Sequence, residues 1–436
     1  MKKSICCALA MSLAFAGSIW AYDAEYTAGQ TATISRNGSY LVTGSGGGKI
    51  TIAENIGGVE LTLRDVNWTG GGTQIDIKPS SSVSLILEGD STIAHSAWDS
   101  AVAIKLPQSS SVVVGGTGSL NISTFGHSCI GVEAADTMGS LTMNSGTIVA
   151  HAGGKSCLSL SAAIGGTYGN PVKGGNGGTV VVNGGTLIAA GYSAAPGIGG
   201  GASYGAGGGG DAGTLTVNGG HVIACSYLSG SYGDGQPSCA IGPGRSRQNI
   251  AFNGKAGRIV VTGGVLEAWV EASGSSCFGQ ARGVGKAATN PADAGLFVSG
   301  GTVKWNHLLK DEADFAYSFA NCTVGCAKGL ESKPVGLWLP VNTDMAALFP
   351  EGVNFEKAPG ETVAANACDG RHCVFSVTRA PLRHSVVSVC KSGAEARSFA
   401  ETASAHSVRS AKSAFSFVVI LPRASTVTEL SSPPFG

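Results

Sequence analysis

Between Gly139 and Trp305 the apolar positions recur on a fixed beat. Five stretches alternate apolar and polar residues, turn on a polar-Gly corner, and alternate again: Leu141–Ala150, Val180–Ala189, Leu215–Ala224, Ile259–Ala268 and Leu296–Trp305. Alternation with a period of two marks a strand with one buried face, so each stretch predicts two short strands around a corner. The corner residue falls at Asn144, Asn183, Asn218, Thr262 and Ser299, in steps of 39, 35, 44 and 37. A period in that range belongs to solenoids, propellers or arrays. A second phrase keeps the same beat: Ile130, Ile164, Ile198, Ile241 and Phe278 are each followed by a glycine.

Three short strands per repeat predict a parallel β-helix, in which coils bury their apolar faces by stacking on one another. The inward columns can be written down in advance. Leu141, Val180, Leu215, Ile259 and Leu296 form one; Met143, Val182, Val217, Val261 and Val298 the next; Ile148, Leu187, Val222, Leu266 and Val303 a third; the Ile130 to Phe278 series the fourth. A propeller would need about four strands per blade, and the glycine-rich connections leave no room for a fourth. Asn-Gly and Gly-Gly corners supply positive φ at little cost, and Gly184 and Gly219 are expected to carry it.

Upstream, strand candidates arrive every 8–12 residues, as in all-β folds: Tyr40–Val42, Lys49–Ile52, Val59–Leu63, Gln74–Ile77, Val83–Leu87, Ala101–Ile104, Ser111–Val114 and Ser119–Ile122. They read as earlier coils of the same stack, the first one or two capping its end. Residues 1–21 read as a secretory signal, with Lys2-Lys3, an apolar run from Ser4 to Ile19, and cleavage near Ala21 or Ala24. The expected organisation is thus 1–21 signal peptide, 22–138 N-terminal coils and cap, and 139–305 glycine-rich coils. An irregular extension follows: a small β module over 306–390 (strands near Val335–Leu339, Cys373–Val377 and Ser385–Val389) and an Ala/Ser-rich disordered tail over 391–436.

Several phrases carry a resemblance. Ile34-Ser-Arg-Asn-Gly-Ser-Tyr-Leu-Val-Thr-Gly44, Val59-Glu-Leu-Thr-Leu-Arg-Asp-Val-Asn67, Ile75-Asp-Ile-Lys78 with Val83–Gly89, Gly115–Ile122, and Ala195-Pro-Gly-Ile-Gly-Gly-Gly201 ahead of an Asn-Gly-Gly corner resemble the secreted bacterial "carbohydrate-binding domain-containing" proteins of gut-type anaerobes. The likeness covers about residues 34–305. It implies a right-handed parallel β-helix outside the cell with a polysaccharide or adhesive role, and it transfers no binding residue.

Composition narrows the function. Lys plus Arg number 28, as do Asp plus Glu, and charged residues make up 13%; nothing in that balance points to nucleic acid or an anionic membrane. No apolar run after the signal reaches the ~20 residues of a membrane span. Export would permit disulfides, with Cys322/Cys326 and Cys368/Cys373 close enough for local loops and free buried thiols as the alternative. The spacings do not suit zinc. Gly205–Asp211 is neither a phosphate loop, which needs Lys-Ser/Thr before a helix, nor a calcium nonapeptide, so it reads as a flexible surface loop, and no cofactor is expected.

A glycan hydrolase needs two carboxylates about 5–10 Å apart. The outward column Val149, Ile188, Ile223, Glu267, Lys304 holds one. Asn342-Thr-Asp344 is similar to a polygalacturonase strand, but it lies outside the repeats and its partner phrases are missing. His95, His127, His151 and His221 share no column. Aromatics remain, because sugars stack C–H faces on flat rings. Tyr168, Tyr192, Tyr204, Tyr227 and Tyr232 lie in or beside the variable loops, with Trp68, Trp98 and Trp269 as further candidates. Tyr192 and Tyr227 stand nine residues after their corner asparagines and are expected side by side. The leading expectation is a secreted or surface module that binds polysaccharide or host glycan without catalysis. A β-helix glycanase or lyase, and an adhesive stalk without a small ligand, are the alternatives.

Overall fold

The computed structural model describes residues 22–95, 101–153, 160–192, 195–204, 207–227, 238–246, 253–271, 276–279, 291–305, 315–327, 336–340, 352–355, 372–376, 389–392, 395–398, 416–419 and 428–431. Residues 1–21, expected to be a signal, Trp98, Tyr232 and Asn342 to Asp344 lie outside them.

The chain is an all-β parallel solenoid. Its strands stack in three rows that wall a single core. Row one includes Ser82–Glu88, Ser111–Gly116, Ser140–Met143, Thr179–Val182, Thr214–Val217, Arg258–Val261 and Gly295–Val298. Row two includes Asp90–Ala94, Ser119–Thr124, Thr147–Ala152, Thr186–Tyr192, His221–Tyr227, Val265–Val270 and Thr302–Trp305. Row three runs from Thr31–Ile34 through Lys49–Ile52, Ile75–Ile77, Ile104–Lys105, Ile130–Val132 and Ile164–Gly166 to Ile198–Gly199 and Ile241–Gly242. Rows one and two are joined because the long strand Val59–Thr69 pairs with both Ser82–Glu88 and Asp90–Ala94. Together they form a 20-stranded sheet, and row three is a separate 8-stranded one.

The expected columns are the core. Leu141 pairs with Val180, Val180 with Leu215, Leu215 with Ile259 and Ile259 with Leu296, all in parallel register. Every member of the four columns is at most 4% exposed, and Val217 is at 0%. Parallel pairing of identical repeats puts like above like, so branched aliphatic residues interdigitate along the axis at the ~4.8 Å strand spacing. Outside the core at the row-one corner, an amide ladder climbs the stack. Asn183 Nδ2 donates to Asn144 Oδ1 at 2.9 Å, Asn218 Nδ2 to Asn183 Oδ1 at 2.9 Å, and Thr262 Oγ1 to Asn218 Oδ1 at 2.8 Å.

The corners differ from expectation in one detail. Positive φ falls on the second glycine, Gly185 (77°), Gly220 (71°), Gly264 (69°) and Gly301 (76°), and not on Gly184 or Gly219. Those first glycines are needed for space: a Cβ there would overlap the carbonyl oxygens of Asn144 and Asn183 in the coil before.

The stack also continues past residue 305. Ala316–Phe319 pairs with Gly295–Val298 and Thr323–Cys326 with Thr302–Trp305. Phe319 and Val324 are buried, and Asn321 (φ 47°) turns this corner in place of glycine. Beyond it, Gly336–Pro340 pairs antiparallel with His372–Ser376. Within the segment expected to be disordered, Val389–Ser392 pairs with Glu395–Ser398 and Ser416–Val419 with Thr428–Ser431; its other residues lie outside the described ones. Cys129, Cys225, Cys239, Cys277 and Cys322 are buried free thiols. Cys322 directly precedes the extended strand Thr323–Cys326, which sets Cys326 ~13 Å along the chain, beyond the ~7 Å Cα limit for a disulfide.

Candidate functional site

The glycine-rich connections after row three are packed structure, a correction to the flexible loop expected from sequence. Each leaves the core as one arm and returns as another, and arms of successive coils interleave. Gly175 N donates to Thr167 O (2.7 Å), Gly201 N to Gly175 O (2.9 Å), Gly210 N to Gly201 O (2.8 Å), Gly244 N to Gly210 O (2.9 Å) and Gly254 N to Gly244 O (3.1 Å). This zigzag satisfies the backbone without side chains, as buried amides require. It also explains the glycine content: a Cβ at Gly210 would overlap Gly175 O, and one at Gly244 would overlap Gly201 O. Only residues without a Cβ let backbones approach this closely. Side chains then pin the layer's return arms. Lys173 Nζ lies 3.0 Å from Asp211 Oδ2, Asp211 Oδ1 accepts from Lys255 N at 2.8 Å, and Asp211 N donates to Asn176 Oδ1 at 2.9 Å.

The tip of this layer is where apolar surface comes out. Tyr204 and Val172 are each 47% exposed, and with Val113 they are the exposed large hydrophobics among the described residues. The two tips lie against each other: Tyr204 N donates to Gly169 O at 3.0 Å and Ser203 Oγ to Val172 O at 3.4 Å. Beneath, Tyr168 packs on buried Leu160 and Ala202 and meets the His127 ring edge-on at 5.7 Å. Sequence reasoning missed Val172. An apolar residue in the otherwise polar and glycine loop Gly169 to Gly178 was the available signal.

The remaining tyrosines form a different group. Tyr192 and Tyr227 are in register and stacked, with centroids 4.8 Å apart and planes at 15°, as their equal offsets from the corner asparagines predicted. Tyr227 is only 8% exposed, because Trp269, itself 6% exposed, meets its ring edge-on at 4.7 Å. Ala190, Cys225 and Ala327 complete this cluster. Burial pushes the Tyr227 phenol well above its ordinary range and keeps it neutral. These rings are side-chain packing outside row two, and Tyr192 alone keeps a partly open face. Trp68 is core.

Glu267, the acid of the outward column, sits between His221 Nε2 at 3.2 Å and Lys304 Nζ at 3.6 Å. That makes it a half-exposed ion cluster worth ~1 kcal/mol or less per pair. Among the described residues no group of three or more His, Cys, Asp or Glu could hold a metal ion, and no helix is long and apolar enough to cross a membrane. No family model, curated protein or solved structure matches the chain.

Proposed function

We propose that the protein is a secreted or cell-surface module that binds polysaccharide or host glycan without transforming it, and that the arm tips are its contact element. The observation that carries this is Tyr204, a half-exposed ring beside Val172 on a base hydrogen-bonded backbone to backbone. A flat, rigid aromatic ring stacks on a sugar face with few rotatable bonds to freeze, and here it stands on a backbone already fixed by that hydrogen bond. Lys173, next in sequence to Val172, pairs with Asp211 and can exchange hydrogen bonds with hydroxyls.

Tyr204→Ala and Val172→Ser remove exposed groups, so the melting temperature stays within a degree or two of the parent. Retention on a glycan array falls at least fivefold for Tyr204→Ala. Undiminished retention moves the contact elsewhere, release of reducing ends by the parent makes the protein a glycanase, and no retention of any glycan by the parent leaves the stalk.

A further inference from the structure

A second surface lies on the outer face of row one. Over five strands its outward positions form two columns in unbroken parallel register: Ser82, Ser111, Ser140, Thr179, Thr214, and Ser84, Val113, Thr142, Val181, Thr216. The ladder of Asn144, Asn183, Asn218 and Thr262 flanks them as a third. No position in these columns is charged, in a chain with 56 charged side chains (28 + 28). The window has ends. On one side the next rung is exposed Glu60, in register with Ser84. On the other, the next rung is Arg258, in register with Thr214, with its guanidinium 4.3 Å over the Phe297 ring of the rung beyond. Ser84, Val113, Thr179, Thr214, the asparagines and Thr262 are exposed and the others half-buried.

The shape selects the occupant. Five strands at ~4.8 Å and four residues at ~3.3 Å per residue give a plate of roughly 24 by 13 Å, about 300 Å². A stable protein partner needs about 800 Å² per side, so a second folded chain is poorly served. A thin polymer running along the stack axis is well served. Three successive coils offer it the same set: a hydroxyl (Ser140, Thr179, Thr214), a methyl-bearing ledge (Thr142, Val181, Thr216) and an amide (Asn144, Asn183, Asn218). In the ladder each interior Asn spends one N–H and one oxygen lone pair on its neighbours, which leaves a donor and an acceptor per rung. A neutral glycan offers hydroxyls and C–H faces at a repeat close to one coil, and it carries no charge to be left unpaired on an uncharged plate. We infer that this face binds a neutral, linear polysaccharide lengthwise along the helix axis, at a site separate from the arm tips.

Val181→Lys with Thr216→Lys puts two flexible cations on the plate without touching the core. The probes are soluble neutral β-glucan and its oligosaccharides of two to eight units, with polygalacturonate as the acidic comparison, in affinity electrophoresis and calorimetry. The expected result is that the parent's affinity for β-glucan oligomers rises with length up to about five units, one per coil. The double variant loses at least tenfold with an unchanged melting temperature, and Tyr204→Ala keeps this binding. Binding that survives the two lysines overturns the assignment, as does loss through Tyr204→Ala alone, which returns the ligand to the tips. An equal preference for polygalacturonate also overturns it, because the plate has no charge with which to hold an acid. If the parent binds no β-glucan while Tyr204 still retains another glycan on the array, this inference fails and the arm-tip reading stands.

Discussion

Gly146 and Gly185 occupy equivalent corner positions with similar backbones, φ 82° and 77°. Their surroundings differ. A Cβ at Gly146 would meet Gly118 O at 3.2 Å, whereas at Gly185 it would meet Gly146 O at 2.5 Å and the Met143 methyl at 2.9 Å. Asparagine tolerates the left-handed region, so Gly146→Asn should cost less than ~1 kcal/mol. Gly185→Asn keeps the dihedral but overpacks against the preceding coil, and should cost on the order of 2–3 kcal/mol. Urea titration of both variants checks this; equal costs would mean that φ alone governs these corners. The sequence showed that a corner glycine was needed. It did not show which of two adjacent glycines carries positive φ and which answers to a neighbouring carbonyl, since the second constraint comes from a residue 40 positions away at Gly184 (Asn144).

Apart from the small cluster of Leu160, Ala202 and Tyr168, the glycine arms carry no apolar core. Their cohesion is the backbone zigzag through Thr167, Gly175, Gly201, Gly210, Gly244 and Gly254. Such a layer opens locally more readily than the core below it. Gly210→Val should break the zigzag at its centre. Amide exchange at Gly201, Gly210 and Gly244 should speed up at least tenfold, while the amides of Leu215 and Val217 stay protected, and retention through Tyr204 should be lost with the layer. Uniform exchange behaviour across arms and core would show that they open as one unit. By contrast the aromatic group at Tyr192, Tyr227 and Trp269 belongs to row two, and Tyr227→Ala should destabilise the fold, since it empties a site only 8% exposed.

For the molecule as a whole, electrostatics matter most at the N-terminal coils. Asp76 is 4% exposed, with Lys49 Nζ at 2.5 Å and Lys78 Nζ at 3.0 Å from its Oδ2. Burial by itself would raise its pKa; the hydrogen bonds from the two lysines outweigh that and hold it below the ordinary 3.8. A lowered folded pKa stabilises above the unfolded value and loses that contribution as the pH falls through the folded one. The stability gap between the parent and Asp76→Asn should therefore be constant above about pH 5 and close below 3.8. Thermal melts from pH 2 to 7 test this, and a gap that widens on acidification would reverse the sign of the linkage.

The sequence by itself determined the coil, the three strands per coil, the four core columns and the adjacency of Tyr192 and Tyr227. All of these follow from period-two alternation repeated at a steady interval, and parallel stacking turns equal positions into neighbours. Burial of the Tyr192–Tyr227 pair was not legible, because Trp269 and Ala327 reach it from other coils. Nor was the continuation over Ala316–Cys326, where the turn uses Asn321 and not the glycine corner phrase. Glycine-rich connections carry no side-chain pattern to read. Their packing is made of backbone hydrogen bonds between coils, so tertiary structure alone decided that they form a layer and that Val172 and Tyr204 stand at its tip.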